Sequence, residues 1–100
     1  MMKLVITTPA RESLKQIHDY YKENVSLKVA QKIKTGIIQK LEYLSQHPMA
    51  GQEEELLKGL DLGHRRLVEQ NYKIIYRVVV DTIYVTDIFD SRRDPSQVKP

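Results

Sequence analysis

The spacing of apolar residues changes once along this chain: through the first half they recur every third or fourth position, and through the last third they alternate. Ala10, Leu14, Ile17 and Tyr21 repeat at helical period, with Arg11, Lys15 and Lys22 off that stripe, and predict a helix over 9–24. Thr8 followed by Pro9 is a helix start: a hydroxyl caps free amides and the proline brings a preset φ. Asn24, a residue that tolerates left-handed backbone, closes the helix. Ala30, Ile33, Ile37, Leu41 and Leu44 form a second seam and predict a helix over 27–46, capped by Ser26 and stopped by Pro48 and Gly51. Helices of about 16 and about 20 residues span ~24 and ~30 Å. Only Val25 and Ser26 need separate them, so they form an antiparallel hairpin.

The remaining pattern is that of strands. Lys3 to Thr7 gives a short first strand (3–7), and alternating runs give strands over 64–69, 72–80 and 83–90. With Gln70-Asn71 and Asp81-Thr82 as centres of two-residue turns, Val80 faces Ile83, Val78 faces Val85, Tyr76 faces Asp87 and Ile74 faces Phe89. That side, joined by Leu67, is mostly apolar and is expected to cover the helical hairpin. The opposite side carries His64, Arg66, Val68, Lys73, Ile75, Arg77, Val79, Tyr84, Thr86 and Ile88. Residues 52–63 have the weakest pattern, and Glu53-Glu54-Glu55 reads as a solvated loop or a short helical piece. The tail, 94–100, holds two prolines and is expected to be loosely tied.

Composition narrows the function. One hundred residues make one domain, 1–100. The absence of cysteine excludes disulfides and thiolate zinc sites. The apolar N-terminal run is too short for a signal peptide or a span, which points to a soluble protein of the cytoplasm. A formal charge of +3 permits a nucleic-acid or acidic protein partner without requiring either. His18, His47 and His64 lack metal-ligand spacing, and Ser45 and Ser91 lack an activating motif. With no Gly-rich phosphate loop, neither a metal nor a cofactor is expected.

Candidate chemistry therefore rests on cations, tyrosines and backbone. Arg66, Lys73, Arg77 and Tyr84 share the face away from the helices. Such a face either holds an anionic backbone over an aromatic floor or is a solvated surface whose charges keep it soluble. Arg65, Tyr76 and Asp87 fall on the covered face and are expected to form a structural cluster, Asp87 accepting from Arg65 or from the Tyr76 hydroxyl. Arg92 and Arg93 follow the last strand, free to meet a partner or Asp90.

Several pieces occur in a telling order: Thr8-Pro9-Ala10 with Leu14 and Ile17-His18-Asp19-Tyr20-Tyr21; His47-Pro48 with Gly51; Arg65-Arg66-Leu67; Asn71-Tyr72-Lys73-Ile74-Ile75-Tyr76-Arg77-Val78; and Ile88-Phe89-Asp90-Ser91-Arg92-Arg93-Asp94-Pro95. The set resembles the RelE/ParE superfamily of bacterial toxins from type II toxin–antitoxin modules. The resemblance implies an α+β fold, with an N-terminal strand and an antiparallel helical hairpin packed on a curved, mostly antiparallel four-stranded sheet.

Function divides within that superfamily. RelE-like members are ribosome-dependent mRNA endoribonucleases that use basic groups on the open face to promote 2′-hydroxyl attack and stabilise the phosphorane. ParE-like members keep the fold and poison DNA gyrase instead. The long helices, Val68 where nucleases tend to carry a basic group, and a tail without Tyr or His after Arg93 place the resemblance closest to ParE. It implies gyrase as partner, with Arg66, Arg77, Tyr84, Arg92 and Arg93 as target-binding candidates. In the ribonuclease alternative the ribosome and mRNA are the partners, Arg66 and Arg77 clamp the scissile phosphate, and Lys73 or His64 assists proton transfer. A third alternative is a non-toxic antitoxin-binding module. A cognate antitoxin, usually encoded next door, is expected to lay an amphipathic helix on the hairpin near Leu14, Ile17, Tyr21, Ile33 and Ile37.

Overall fold

The structure, a computed structural model, describes residues 2–100. Strand β1 (Lys3–Ile6) runs directly into helix α1 (Thr8–Asn24), and helix α2 (Leu27–Gln46) returns antiparallel to it. The cap of α1 is Thr7, not Thr8: Thr7 is extended, and its hydroxyl oxygen accepts from the Ala10 amide at 3.3 Å. The same hydroxyl donates to the Val85 carbonyl at 2.9 Å, so one side chain ties the helix start to the sheet. Asn24 ends α1 without left-handed backbone; its side-chain amide donates back to the Tyr20 carbonyl at 2.8 Å, one turn earlier. Ser26 caps α2 by accepting from the Val29 amide.

Four further strands follow: β2 (Gln52–Glu53), β3 (Arg65–Glu69), β4 (Tyr72–Val79) and β5 (Thr82–Asp90), with a 3-10 helix over Glu55–Leu60 between β2 and β3. The sheet is five-stranded in the order β1-β5-β4-β3-β2, with β1 parallel to β5 and the other neighbours antiparallel. The fifth strand is β2, two polar residues paired to Arg66 and Arg65, and so short that no alternation marks it.

The β3–β4 pairing sets Leu67 opposite Ile74, as turn chemistry at Gln70-Asn71 dictates. The β4–β5 pairing departs from the sequence reading. Its turn centres on Val80-Asp81, so Val78 faces Ile83 and Tyr76 faces Val85. Parallel pairing draws Thr82 into the sheet beside Lys3, whose amide donates to the Asp81 carbonyl. Val80 is left at the tip, 93% exposed and at φ 57°, a costly conformation for a β-branched residue. A bulge between Ile75 and Tyr76 then shifts the register by one residue. Ile88 consequently packs toward the helices and Phe89 away from them, the reverse of the alternation expected from sequence.

The main core lies between hairpin and sheet, where Ala10, Ile37, Leu41 and Leu44 meet Tyr72, Ile74, Tyr76, Ile83, Val85 and Ile88. Burying a side chain the size of Ile37 stabilises the fold by about 1.5–3 kcal/mol. The other face is not open throughout. Leu57 and Val98 close over Ile75 and Phe89 to make a second, smaller core.

Candidate functional site

The sheet face turned away from the helices is organised by one carboxylate. Glu54 is fully buried (0% exposed) and takes a hydrogen bond from Arg66 Nη1 at 2.9 Å and another from Lys73 Nζ at 2.8 Å. Arg66 also donates to the Glu53 carbonyl and to Gln52 Oε1, so its guanidinium is anchored along β2. Placing a carboxylate inside protein requires such partners, because an isolated buried charge is strongly disfavoured. Arg66 and Lys73 thus hold the fold and are not free cations. The run Glu53-Glu54-Glu55 is not simply solvated: its outer members are exposed and Glu54, at the junction of β2 and the 3-10 helix, points inward.

Farther along the face, Arg77 on β4 lies opposite Tyr84 on β5. His64, 3% exposed, sits beside Arg77 with the Pro100 backbone near its ring, and no well-formed hydrogen bond reaches its ring nitrogens or Arg77 Nε. Burial, and then the positive charge of Arg77, hold the His64 imidazole below its ordinary value. Protonating it therefore opposes folding, and its contribution to stability is lost as pH falls below the ordinary imidazole range near ~6.5. The four basic groups singled out in the sequence fall into two pairs: Arg66 and Lys73 on Glu54, and His64 against Arg77.

The cluster expected of Arg65, Tyr76 and Asp87 separates into two. Arg65 Nη1 donates to the Gly51 carbonyl at 2.6 Å, while the Tyr76 hydroxyl accepts from the Gly51 amide and donates to the Pro48 carbonyl, both at 2.9 Å. Burial raises the Tyr76 phenol above its ordinary value. Asp87 lies elsewhere, beside the bulge, accepting from Ser13 Oγ at 2.7 Å and from the Lys99 amide at 3.1 Å. Thr86 Oγ1 donates to the Lys99 carbonyl. With Val98 in the second core, the tail is strapped to the sheet instead of hanging free.

Arg92 and Arg93 border a cleft of about 280 Å³ between α1 and the end of β5, with Tyr20, Tyr21 and Tyr72 on its walls. Arg93 lies over the Phe89 ring, 5.9 Å from its centre. Arg92 pairs with Asp90 at 2.8 Å. Hydrogen bonds from the Arg92 side chain, aided by its amide and by Asn71, hold the Asp90 carboxyl down to about 2. Because the folded value is the lower one, ionised Asp90 stabilises this turn above the ordinary range near ~3.9, and that stabilisation is lost as acid is added. An NMR titration should find the Asp90 midpoint near 2 and, in Arg92→Ala, a return toward the ordinary range. A midpoint that does not move would reject the pairing.

On the hairpin, Leu14, Ile17, Tyr21 and Ile33 are half-buried at the edge of the main core, whereas Ile37 is wholly inside it and cannot meet a partner. Sequence periodicity missed Tyr20, Ile38 and Tyr43, large apolar side chains that α1 and α2 leave exposed. Among the described residues, no His, Asp and Glu side chains converge to hold a metal ion, and no helix is long and apolar enough to cross a membrane.

Comparison with known proteins agrees with this geometry. The family model described as the ParE toxin of type II toxin-antitoxin system, parDE, matches residues 4–95. A solved chain from the chromosomal ParDE TA system of P. aeruginosa is similar at a TM-score of 0.77 and 26% identity, over 90% of this chain and 96% of that one. No curated protein matches the chain.

Proposed function

Because the chain belongs to the ParE toxin family of type II toxin–antitoxin systems, we propose that residues 1–100 act as one toxin domain in the cytoplasm, inhibiting DNA gyrase by binding and neutralised by a cognate antitoxin. The observation that carries the reading is the fate of the open-face cations. Arg66 and Lys73 are both spent on Glu54, and His64 is buried with its imidazole held toward the neutral form. Acid–base catalysis of phosphoryl transfer needs a proton donor within reach of the leaving oxygen and mobile enough to use. A buried imidazole and an anchored lysine supply that poorly. Exposed arginine and tyrosine at the cleft of Arg92, Arg93 and Tyr20, and Tyr84 on the sheet, suit contact with a large partner instead.

The test is gyrase supercoiling with purified, antitoxin-free protein, alongside pulse-labelling after induction in cells. DNA synthesis should fail before protein synthesis, and an excess of toxin should block supercoiling. Preserved supercoiling with early collapse of translation would move the assignment to the ribosome-dependent ribonuclease. That second reading draws on Arg77, which makes no ion pair among the described residues, in contrast to Arg66 and Lys73. Under it, Arg77→Ala, which leaves the Arg66 and Lys73 pairs with Glu54 intact, should abolish mRNA cleavage.

A further inference from the structure

Gly36 sits in the middle of α2, where glycine is less favourable than alanine because it leaves the unfolded chain more freedom. Its use shows on the side facing β3. A Cβ built at Gly36 would lie 2.9 Å from Glu69 Oε2, so the missing methyl is the space in which the Glu69 carboxylate rests. Around it is a cleft of about 410 Å³ between α2 and β3, walled by Gln39, Lys40, Tyr43 and Leu67. Glu69 makes no ion pair or side-chain hydrogen bond among the described residues, and neither does Lys40 at the rim.

Two neighbours give this notch a preference. Tyr43 is 49% exposed and stacked on His47, with ring centres 4.4 Å apart, which fixes it as a flat wall. The adjoining edge of β3 is bare, since β2 pairs only with Arg65 and Arg66 and leaves Leu67 to Glu69 without an outer strand. A carboxylate beside an aromatic plane fits a guanidinium better than an ammonium: the planar fork meets both carboxylate oxygens while its face stacks on the ring.

We propose that the Gly36–Glu69 notch receives an arginine side chain of the antitoxin, carried on a segment whose neighbouring apolar residues rest on Tyr43 and Leu67. This rests on the toxin–antitoxin reading above and names one contact within it. Free Glu69 supplies the complementary charge, and the bare strand edge supplies room for the backbone that carries the arginine.

The experiment measures affinity between this toxin and the antitoxin encoded beside it, with thermal unfolding of each free variant as the folding control. Glu69→Gln and Gly36→Ala should each weaken the complex by about tenfold or more, the loss of one charge-assisted bidentate contact. Gly36→Ala should at the same time raise the Tm of the free toxin, because the added methyl favours the helix and meets only the mobile end of Glu69. A glycine kept for packing alone would give a lower Tm. Glu69→Arg should abolish tight binding, and exchanging the matching antitoxin arginine for glutamate should restore it. Unchanged affinity in both Glu69→Gln and Gly36→Ala overturns the notch and leaves the family function standing. Failure of the unaltered toxin to bind that antitoxin overturns both.

Discussion

Replacing Glu54 by alanine is expected to destabilise the folded protein by about 3–5 kcal/mol, the range seen when one partner of a buried ion pair is removed. Glu54 is fully enclosed, and two cations depend on it: Arg66 at 2.9 Å and Lys73 at 2.8 Å. Without the carboxylate both cations keep their desolvation cost and lose their attraction. Denaturant unfolding of purified variants measures the effect. A loss below about 1 kcal/mol would place the pair in the range of exposed ion pairs and defeat the argument. The triple variant Glu54→Met, Arg66→Met, Lys73→Met should recover much of the loss, because apolar residues of similar volume often replace buried ion pairs at little cost. Glu54→Gln should fall between, retaining acceptor and shape while losing charge.

The same triad shows where reading the sequence stops. Helical seams were legible because Ala30, Ile33, Ile37, Leu41 and Leu44 repeat at a period no strand shares, and the turn at Gln70-Asn71 fixed the β3–β4 register. The residue types of the open face were legible too. Their partners were not. Glu54 stands in a run of three identical side chains, and nothing local distinguishes the buried one from its exposed neighbours. It is set by β2, a two-residue strand that exists only because Arg65 and Arg66 offer it a ladder.

The β4–β5 hairpin failed for a related reason. Asp81-Thr82 is sound turn chemistry locally, but parallel pairing with β1, some eighty residues earlier in the chain, claims Thr82 for the sheet. The bulge beside Tyr76 then exchanges Ile88 and Phe89 between faces. Because strand side chains alternate with a period of two, one inserted residue inverts everything beyond it, and sequence carries little mark of the insertion. Separation of Asp87 from Arg65 and Tyr76 follows directly.

Gly51→Ala is expected to cost about 2–6 kcal/mol, an overpacking penalty of about 1–3 joined to a similar one for polar groups left unpaired in the interior. The residue has no positive φ, so the requirement is space, not backbone freedom. A Cβ there would fall 2.5 Å from the Tyr76 hydroxyl oxygen and 2.6 Å from the Arg66 carbonyl oxygen. The chain after α2 can approach β3 and β4 this closely only with hydrogen at that position. Its amide and carbonyl then bond to Tyr76 and to Arg65, which ties the end of the hairpin to the sheet. Gly59, with nothing within 4 Å of its missing Cβ, is the control, and Gly59→Ala should be close to neutral. Tyr76→Phe provides the stricter test. It removes the oxygen at 2.5 Å but not the Arg66 carbonyl, so in that background Gly51→Ala should cost measurably less while remaining destabilising. Strictly additive losses in the double-mutant cycle would mean that the two residues do not share the contact, since neighbours that do so couple by about 0.5–3 kcal/mol. Partial rescue would establish that Tyr76, fully buried and held from Pro48 and Gly51, is the post on which the hairpin and the sheet are joined.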